Sequence, residues 1–238
     1  MLDPVRVWII PVRVTPDELA RCRAVLDPDE RARASTLADA STRDRFTVAH
    51  GALRILVGRA LDAPPEKLTW TRGRYGKPAL TGRWAGLHTN LSYSGDLVAV
   101  AVSGDRPVGV DIQHLAPGLD AVAMATRFFA AEEARHVASG RDAGVRAQRF
   151  AWLWARKEAV VKAAGGRLWP NLRMPVHQGE VVECVAPRGL HRLTDVGTPA
   201  AYRVAVALAD DAPYVVESFD GPAAGWAADP DPPPRHTR

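Results

Sequence analysis

The sequence predicts an α+β fold built from two similar halves that meet near residue 105. Three observations carry this. A helical pattern over Thr47–Gly58 is followed about forty residues later by the run Leu97–Val102 (LVAVAV), which reads as a buried strand. A second pattern, Trp152–Lys162, is followed at about the same distance by Tyr202–Leu208 (YRVAVAL). Between the members of each pair lies a Gly/Pro-rich stretch with short β signals. The 238 residues, 47% of them hydrophobic, suffice for one large domain or two small ones. The expected organisation is an N-terminal lobe over 1–105, a C-terminal lobe over 106–218, and a Pro-, Ala- and Asp-rich tail over 219–238. That tail has no periodicity and is expected to be disordered.

In chain order, Val5–Val14 is β-rich and alternating, a first strand. Thr15-Pro16-Asp17-Glu18 starts a helix with a threonine cap and proline at the first position. Asp27-Pro28-Asp29-Glu30 starts another, which carries Arg31 and Arg33. Ser41–Ala60 is a long helix with apolar residues at Phe46, Ala49, Leu53, Leu56 and Val57. Val108–Ile112 is a buried strand, and Ala121–His136 and Arg149–Ala164 are helical.

The net charge of +4 and pI of about 9.4 suit an anionic ligand or partner but are too weak to imply nucleic acid. With 7% aromatic residues and no RNP-like motif, stacking platforms for RNA are scarce, and steeply salt-dependent RNA binding would be needed to revive that reading. The two cysteines, Cys22 and Cys184, fit neither a disulfide framework nor a metal-ligand spacing. No run approaches the roughly 18 apolar residues of a membrane span, and MLDPVRVWII has no basic region ahead of a long apolar run, so no signal peptide is expected. A soluble, cytoplasmic protein is the expectation.

Four stretches carry chemistry. The first is Arg156-Lys157-Glu158-Ala159-Val160-Val161-Lys162. Glu158 and Lys162 are four apart and share a helix face, ordinarily a solvated pair worth a few tenths of a kcal/mol. The chain, however, has 27 arginines and only four lysines (Lys67, Lys77, Lys157 and Lys162), and two of those fall here. Arginine would serve a surface pair as well, whereas lysine is a compact charge able to lose its proton near a reacting group. The second is Gly109-Val110-Asp111-Ile112-Gln113, a buried run ending in Asp-x-Gln, with Asp111 and Gln113 on one face of a strand. An acid closing a strand is common. The alternative is a hard-cation site, to which Asp111 and Glu158 bring two carboxylates. The third pairs the Gly/Pro turn Arg72–Pro78 with Asn90-Leu91-Ser92-Tyr93-Ser94-Gly95, read as a loop ahead of LVAVAV; both are plain turns or a ligand-contacting pair with donors aimed at phosphate. The fourth is Arg31, Arg33, Arg43, Arg45 and Arg54, by default a solvated face and, beside a phosphate, a source of bidentate clamps.

The set G-V-D-I-Q (109–113) followed by W-x-x-K-E-A-x-x-K (154–162), with Y-G-K-P (75–78) and N-L-S-Y-S (90–94) upstream, resembles the 4′-phosphopantetheinyl transferase family in its large, two-lobed form, the W-x-x-K-E-A subgroup. The resemblance covers about residues 5–215. It implies a pseudo-dimer of two α+β lobes with the active site in the cleft between them. It implies transfer of the 4′-phosphopantetheine moiety of coenzyme A to a serine of an apo acyl or peptidyl carrier protein, with release of adenosine 3′,5′-bisphosphate. It implies Mg²⁺, with Mn²⁺ as a substitute, held by Asp111, Glu158 and residue 113. Glu158, or a water it holds, takes the serine proton, and Lys162 neutralises the leaving phosphate. Lys77 and Pro78 match residues flanking adenine, Ser92 and Tyr93 fall in a phosphate-contacting motif, and Arg45, with Arg31 and Arg33 nearby, matches a grip on the 3′-phosphate. Lys77, Lys157 and Lys162 all fall in matched motifs, which places them at the cleft. Two positions depart from the family. Gln113 stands where Glu is frequent, which implies weaker metal affinity, and Tyr93 stands where His is usual, removing a group that can carry positive charge. The implied partners are coenzyme A and an acidic carrier domain, with neither nucleic acid nor membrane, and a monomer is expected. The alternative, supported by the two departures, is a non-catalytic coenzyme A- or nucleotide-binding protein of the same fold.

Overall fold

The structure is a computed structural model that describes residues 4–104, 106–115 and 118–220. In chain order the elements are β1 (Pro4–Pro11), α1 (Pro16–Val25), α2 (Pro28–Ser35), α3 (Ala40–Ala60), β2 (Trp70–Arg72), β3 (Pro78–Leu80), β4 (His88–Ser94), β5 (Leu97–Ser103), β6 (Val108–His114), α4 (Ala121–Phe128), α5 (Ala131–Ala138), α6 (Ala143–Ala164), β7 (Val181–Val185), β8 (Arg188–Val196), β9 (Tyr202–Ala209) and β10 (Val215–Asp220). The fold is mixed α+β, as the sequence predicts. The cap signals hold: Thr15 and Asp27 each form a capping box with Glu18 and Glu30, with proline in the first turn of both helices.

Two four-stranded sheets, ordered β10-β1-β5-β4 and β6-β9-β8-β7, and a small β2–β3 hairpin make up the β structure. The order β1-β5-β4 recurs as β6-β9-β8, with antiparallel neighbours in each case and three helices between the first strand and the rest. Strand alternation sorts the side chains into layers. Val5, Val7, Ile9, Ala99 and Ala101 of the first sheet meet Val108, Val110, Ile112, Val204 and Val206 of the second in one apolar layer. Trp8, Ile10, Val98 and Val100 point the other way, onto α3. Ala205 and Ala207 likewise point onto α6. Each long helix therefore covers the outer face of its own sheet.

Several elements differ from expectation. The helix predicted over Ala121–His136 is two helices, broken at an extended Phe129 (ψ 171°). Nothing in Phe-Phe-Ala-Ala demands a break; the ring of Phe129 is drawn instead into a stack on Phe150, with centroids 5.1 Å apart. Asn90–Ser94, expected as a loop, lies in β4. The predicted tail loses Phe219 and Asp220 to β10, which returns to the first sheet and pairs parallel with β1, Phe219 stacking on Trp8 at 5.3 Å. Residues 221–238 of that tail lie outside the described residues. Cys22 and Cys184 are buried free thiols. Among the described residues no helix is long and apolar enough to cross a membrane.

Candidate active site

The site is assembled on β6. Val108, Val110 and Ile112 face the inter-sheet core, which leaves Gly109, Asp111 and Gln113 on the side of α6. Gly109 lets that helix settle directly on the strand: a Cβ there would collide with the Ala159 carbonyl oxygen and the Ala163 amide nitrogen. The close approach brings Lys162 within reach of Asp111 two residues further along the strand.

Asp111 is 2% exposed, and three side chains hold it. Its Oδ1 accepts hydrogen bonds from Lys162 Nζ at 2.6 Å and Ser92 Oγ at 2.7 Å, and its Oδ2 from Gln113 Nε2 at 2.8 Å. Lys162 also donates to Ser92 Oγ at 3.0 Å and to the Val110 carbonyl at 3.3 Å. A buried carboxylate with this many donors, one of them cationic, is well compensated. Glu158, one turn before Lys162, is half-buried and, among the described residues, makes no hydrogen bond or ion pair. Burial raises its pKa above the ordinary carboxylate range; Asp111 adds to the rise and Lys162 opposes it. Half-buried and unengaged, it is a better proton acceptor than an exposed glutamate.

Two carboxylates and an amide suit a small hard cation that also keeps waters and phosphate oxygens as ligands. Among the described residues no three His, Cys, Asp or Glu side chains form such a group, so the protein would supply a partial ligand set. Asp111 raises the pKa of Glu158, and a divalent ion held by both carboxylates would relieve that repulsion. Gln113 turns an N–H toward Asp111 and so holds that carboxylate in orientation.

β4 joins this centre from the first sheet. Asn90, Ser92 and Ser94 alternate along the strand and all bond to β6: Asn90 Oδ1 accepts from Val110 N–H at 2.9 Å, Ser92 donates to Asp111, and Ser94 Oγ accepts from His114 N–H at 3.1 Å. Side chains thus fill the place of a backbone ladder between the two sheets. Tyr93, the departure from the expected histidine, lies between them in sequence and is 42% exposed.

The other predicted residues are distributed around this centre. From the β2–β3 hairpin, Lys77 donates to the carbonyls of Val108 at 3.0 Å and Ala163 at 2.9 Å, tying the hairpin to β6 and the end of α6; burial brings its pKa down to about 8. Pro78 lines a pocket of about 180 Å³ with His50, Trp70, Arg72 and Leu91. Arg31 donates to the Leu26 carbonyl, and Arg33 lies 5.7 Å from the Phe46 ring centroid. Arg45 is half-buried, and its buried Nε has no partner among the described residues. Among the described residues, no hydrogen bond or ion pair joins these three arginines to Asp111, Glu158 or Lys162. Arg54 is fully buried in ion pairs with Asp27 and Glu30, so it belongs to the core. Lys157 is a correction to the expected cluster: it is 0% exposed and points into the α5–α6 core, because a helix turns about 100° between Lys157 and Glu158.

Sequence reasoning named Asn90 within a candidate ligand-contacting stretch but not as the tie to the Val110 N–H that it makes, and it missed one further contributor. That contributor is a pocket of about 240 Å³ beside Gln113, lined by His114, Leu119, Met124, Phe150 and Trp154 from four separate segments. Along α6 the order is therefore an apolar pocket at Phe150 and Trp154, then Glu158, then Lys162, then Lys77 at Ala163.

Residues 107–216 match the family described as the 4′-phosphopantetheinyl transferase superfamily. The chain is 36% identical over 165 residues to the 4′-phosphopantetheinyl transferase HetI of a Nostoc species, covering 68% of this chain and 69% of that protein. It is 37% identical over 116 residues to the 4′-phosphopantetheinyl transferase AcpT of Salmonella typhimurium, covering 49% and 58%. To the L-aminoadipate-semialdehyde dehydrogenase-phosphopantetheinyl transferase of Xenopus laevis it is 32% identical over 143 residues, covering 56% and 47%.

Proposed function

The chain belongs to the 4′-phosphopantetheinyl transferase superfamily, and we propose that it moves the 4′-phosphopantetheine arm of coenzyme A onto a serine of an apo acyl or peptidyl carrier protein, releasing adenosine 3′,5′-bisphosphate. The observation that carries this reading is the meeting of Ser92, Asp111 and Lys162, from three distant stretches, within 3.0 Å of one another beside the unengaged Glu158.

That arrangement supports the following roles. The carrier serine Oγ attacks the phosphorus that bears the arm. Glu158, directly or through one water, takes the serine proton, a task its raised pKa favours. The bridging P–O bond breaks and its electron pair leaves on the adenosine 5′-phosphate, where the Lys162 ammonium offsets the charge. Asp111 holds Lys162, and Gln113 and Ser92 hold Asp111. Asp111 and Glu158, with Gln113 alongside, would hold Mg²⁺ (or Mn²⁺), which would supply positive charge to offset that of the pyrophosphate and make the phosphorus more electrophilic. The sequence of surfaces along α6 supports one orientation: the carbon-rich arm toward the apolar pocket at Trp154, and the adenosine end toward Lys77, Pro78 and the arginines Arg31, Arg33 and Arg45.

The two β-ααα-β-β units are read as the lobes of a pseudo-dimer with the site in the cleft between them, which favours a cytoplasmic monomer as the working unit. An acidic carrier suits the net charge of +4. The test is intact mass spectrometry of an apo carrier incubated with the protein, coenzyme A and Mg²⁺, with a chelator control. The expected result is a gain of one phosphopantetheine that the chelator abolishes. No gain on any of several carriers, with coenzyme A binding seen by calorimetry, would establish the non-catalytic binder instead.

A further inference from the structure

Of the lysines in the matched motifs, Lys157 is the one the proposed reaction leaves unused. It is 0% exposed; its Nζ donates to Glu133 Oε2 at 2.6 Å and to the Met174 carbonyl, and lies 4.9 Å from the Phe129 ring centroid. Glu133, also 0% exposed, uses its other oxygen to accept the Val176 N–H at 2.7 Å. Beside the pair stands His177, whose Nδ1 lies 3.9 Å from Glu133 Oε1; otherwise the pair belongs to the apolar cluster that includes Val137, Phe150, Leu153, Val160 and Met174. Two methionines would fill the same space. A buried ion pair is often no more stable than apolar residues of its volume, while either partner left alone is costly.

What the pair supplies is direction. α6 is also held by Arg149, which donates to the His136 carbonyl at 2.6 Å, and by Arg156, which donates to the Gly179 carbonyl at 2.9 Å; the Lys157–Glu133 pair is the fully buried tie beside Glu158. The bonds from Lys157 to α5 and to the 174–176 segment fix both the rotation of the helix and its position along its axis. Side chains reach about 5–6 Å from a helix axis, so a turn of about 20° would move the tips of Glu158 and Lys162 by about 2 Å. A displacement of about 1 Å in a reacting group can cost on the order of 10²-fold in rate. We infer that Lys157, locked to Glu133, is a positioning residue that aims Glu158 and Lys162 of α6 at Asp111. The inference rests on the transfer reading given above.

Lys157→Met alone strands a buried glutamate and is expected to melt far below the wild type. The deciding variant is Lys157→Met/Glu133→Met, which removes both charges and keeps the volume. The expected result is a melting temperature no lower than wild type, a KM for coenzyme A within about twofold, and kcat lowered about tenfold or more. A double variant with wild-type kcat overturns the inference, as does one in which kcat falls only together with melting temperature or with a rise in KM. Should the wild-type protein transfer no arm to any carrier, the proposed function fails, and an activity-free signal decides this inference. Trp152, on α6, donates its indole N–H to Asp195 Oδ2 at 2.9 Å. Its ¹⁵N–¹H resonance moves in the double variant if the ion pair sets the rotation of the helix, and stays in place if it does not.

Discussion

The two long helices, α3 and α6, each carry one fully buried cation, and each cation reaches back to the short helix before it. On α3 it is Arg54, bound to Glu30 of α2, to the cap residue Asp27, and to the carbonyls of Pro65 and Leu68. On α6 it is Lys157, bound to Glu133 of α5 and the Met174 carbonyl. The next residue along differs: Ile55 in one half, Glu158 in the other. The acids differ as well. Burial pushes Glu30 up, but the hydrogen bond from His50 and the charge of Arg54 outweigh it and leave Glu30 below the ordinary range. Burial raises Glu158, and Lys162 does not bring it back. A buried cation is thus scaffolding in both halves. What sets α6 apart is an acid left without a partner among the described residues, whose pKa the Asp111 carboxylate of β6 helps to raise.

The comparison is broken most severely at Glu158. Glu158→Ala is expected to lower the transfer rate about 10²–10⁴-fold with an unchanged circular dichroism spectrum, whereas Ile55→Ala lowers the melting temperature and leaves the rate per folded molecule intact. Retained turnover in the first variant would remove Glu158 from its role. Next comes Arg54→Met, which leaves Asp27 and Glu30 short of a cation and is expected to cost about 3–5 kcal/mol in urea unfolding without changing kcat for the folded fraction.

The two acids should also part company with pH. Glu30, with a lowered pKa, stabilises the fold above the unfolded-state carboxylate range, and that contribution is lost as pH falls through its folded pKa. Glu158, with a raised pKa, costs stability as pH rises through that pKa and it ionises. At neutral pH, therefore, Glu30→Gln lowers the unfolding free energy and Glu158→Gln raises it; the same sign for both would refute the contrast. Lys77 gives a third titration. Its pKa of about 8 lies below the ordinary lysine value of 10.5, so the unfolded chain binds more protons between those limits and stability rises with pH across them. Lys77→Met should flatten that rise in urea melts. The smallest expected effect is Gln113→Glu, which puts a third carboxylate beside Asp111: the metal-free protein melts slightly lower, and added Mg²⁺ raises its melting temperature more than it raises that of the wild type.

Asp111, Glu158 and Lys162 were legible because strand and helix periods are rigid: G-x-D fixes which side of β6 the acid takes, and E-x-x-x-K fixes one helix face. Lys157 was misread because the same motif spelling hides a 100° turn between neighbours. Asn90–Ser94 was misread as a loop because asparagine and serine are poor strand formers, and their bonds to β6 exist only once two sheets have met. The break at Phe129 depends on rings some twenty residues away, and β10 on a strand at the other end of the chain. The arginines were visible as a group, but only packing separates Arg54, locked in the core, from Arg45, with a buried nitrogen unused.

The return of β10 to β1 also orders events in time. A ribosome delivers Pro4–Pro11 first and Val215–Asp220 about two hundred residues later, so the first sheet is begun early and closed last. Until then β1 has an open edge, its N–H and C=O groups unpaired and Trp8 lacking Phe219, a form prone to pairing with other chains. The nascent N-terminal half therefore waits, exposed, for the second half to be made. A chain cut short before Val215 would carry that exposed edge permanently, and its first symptom would be aggregation.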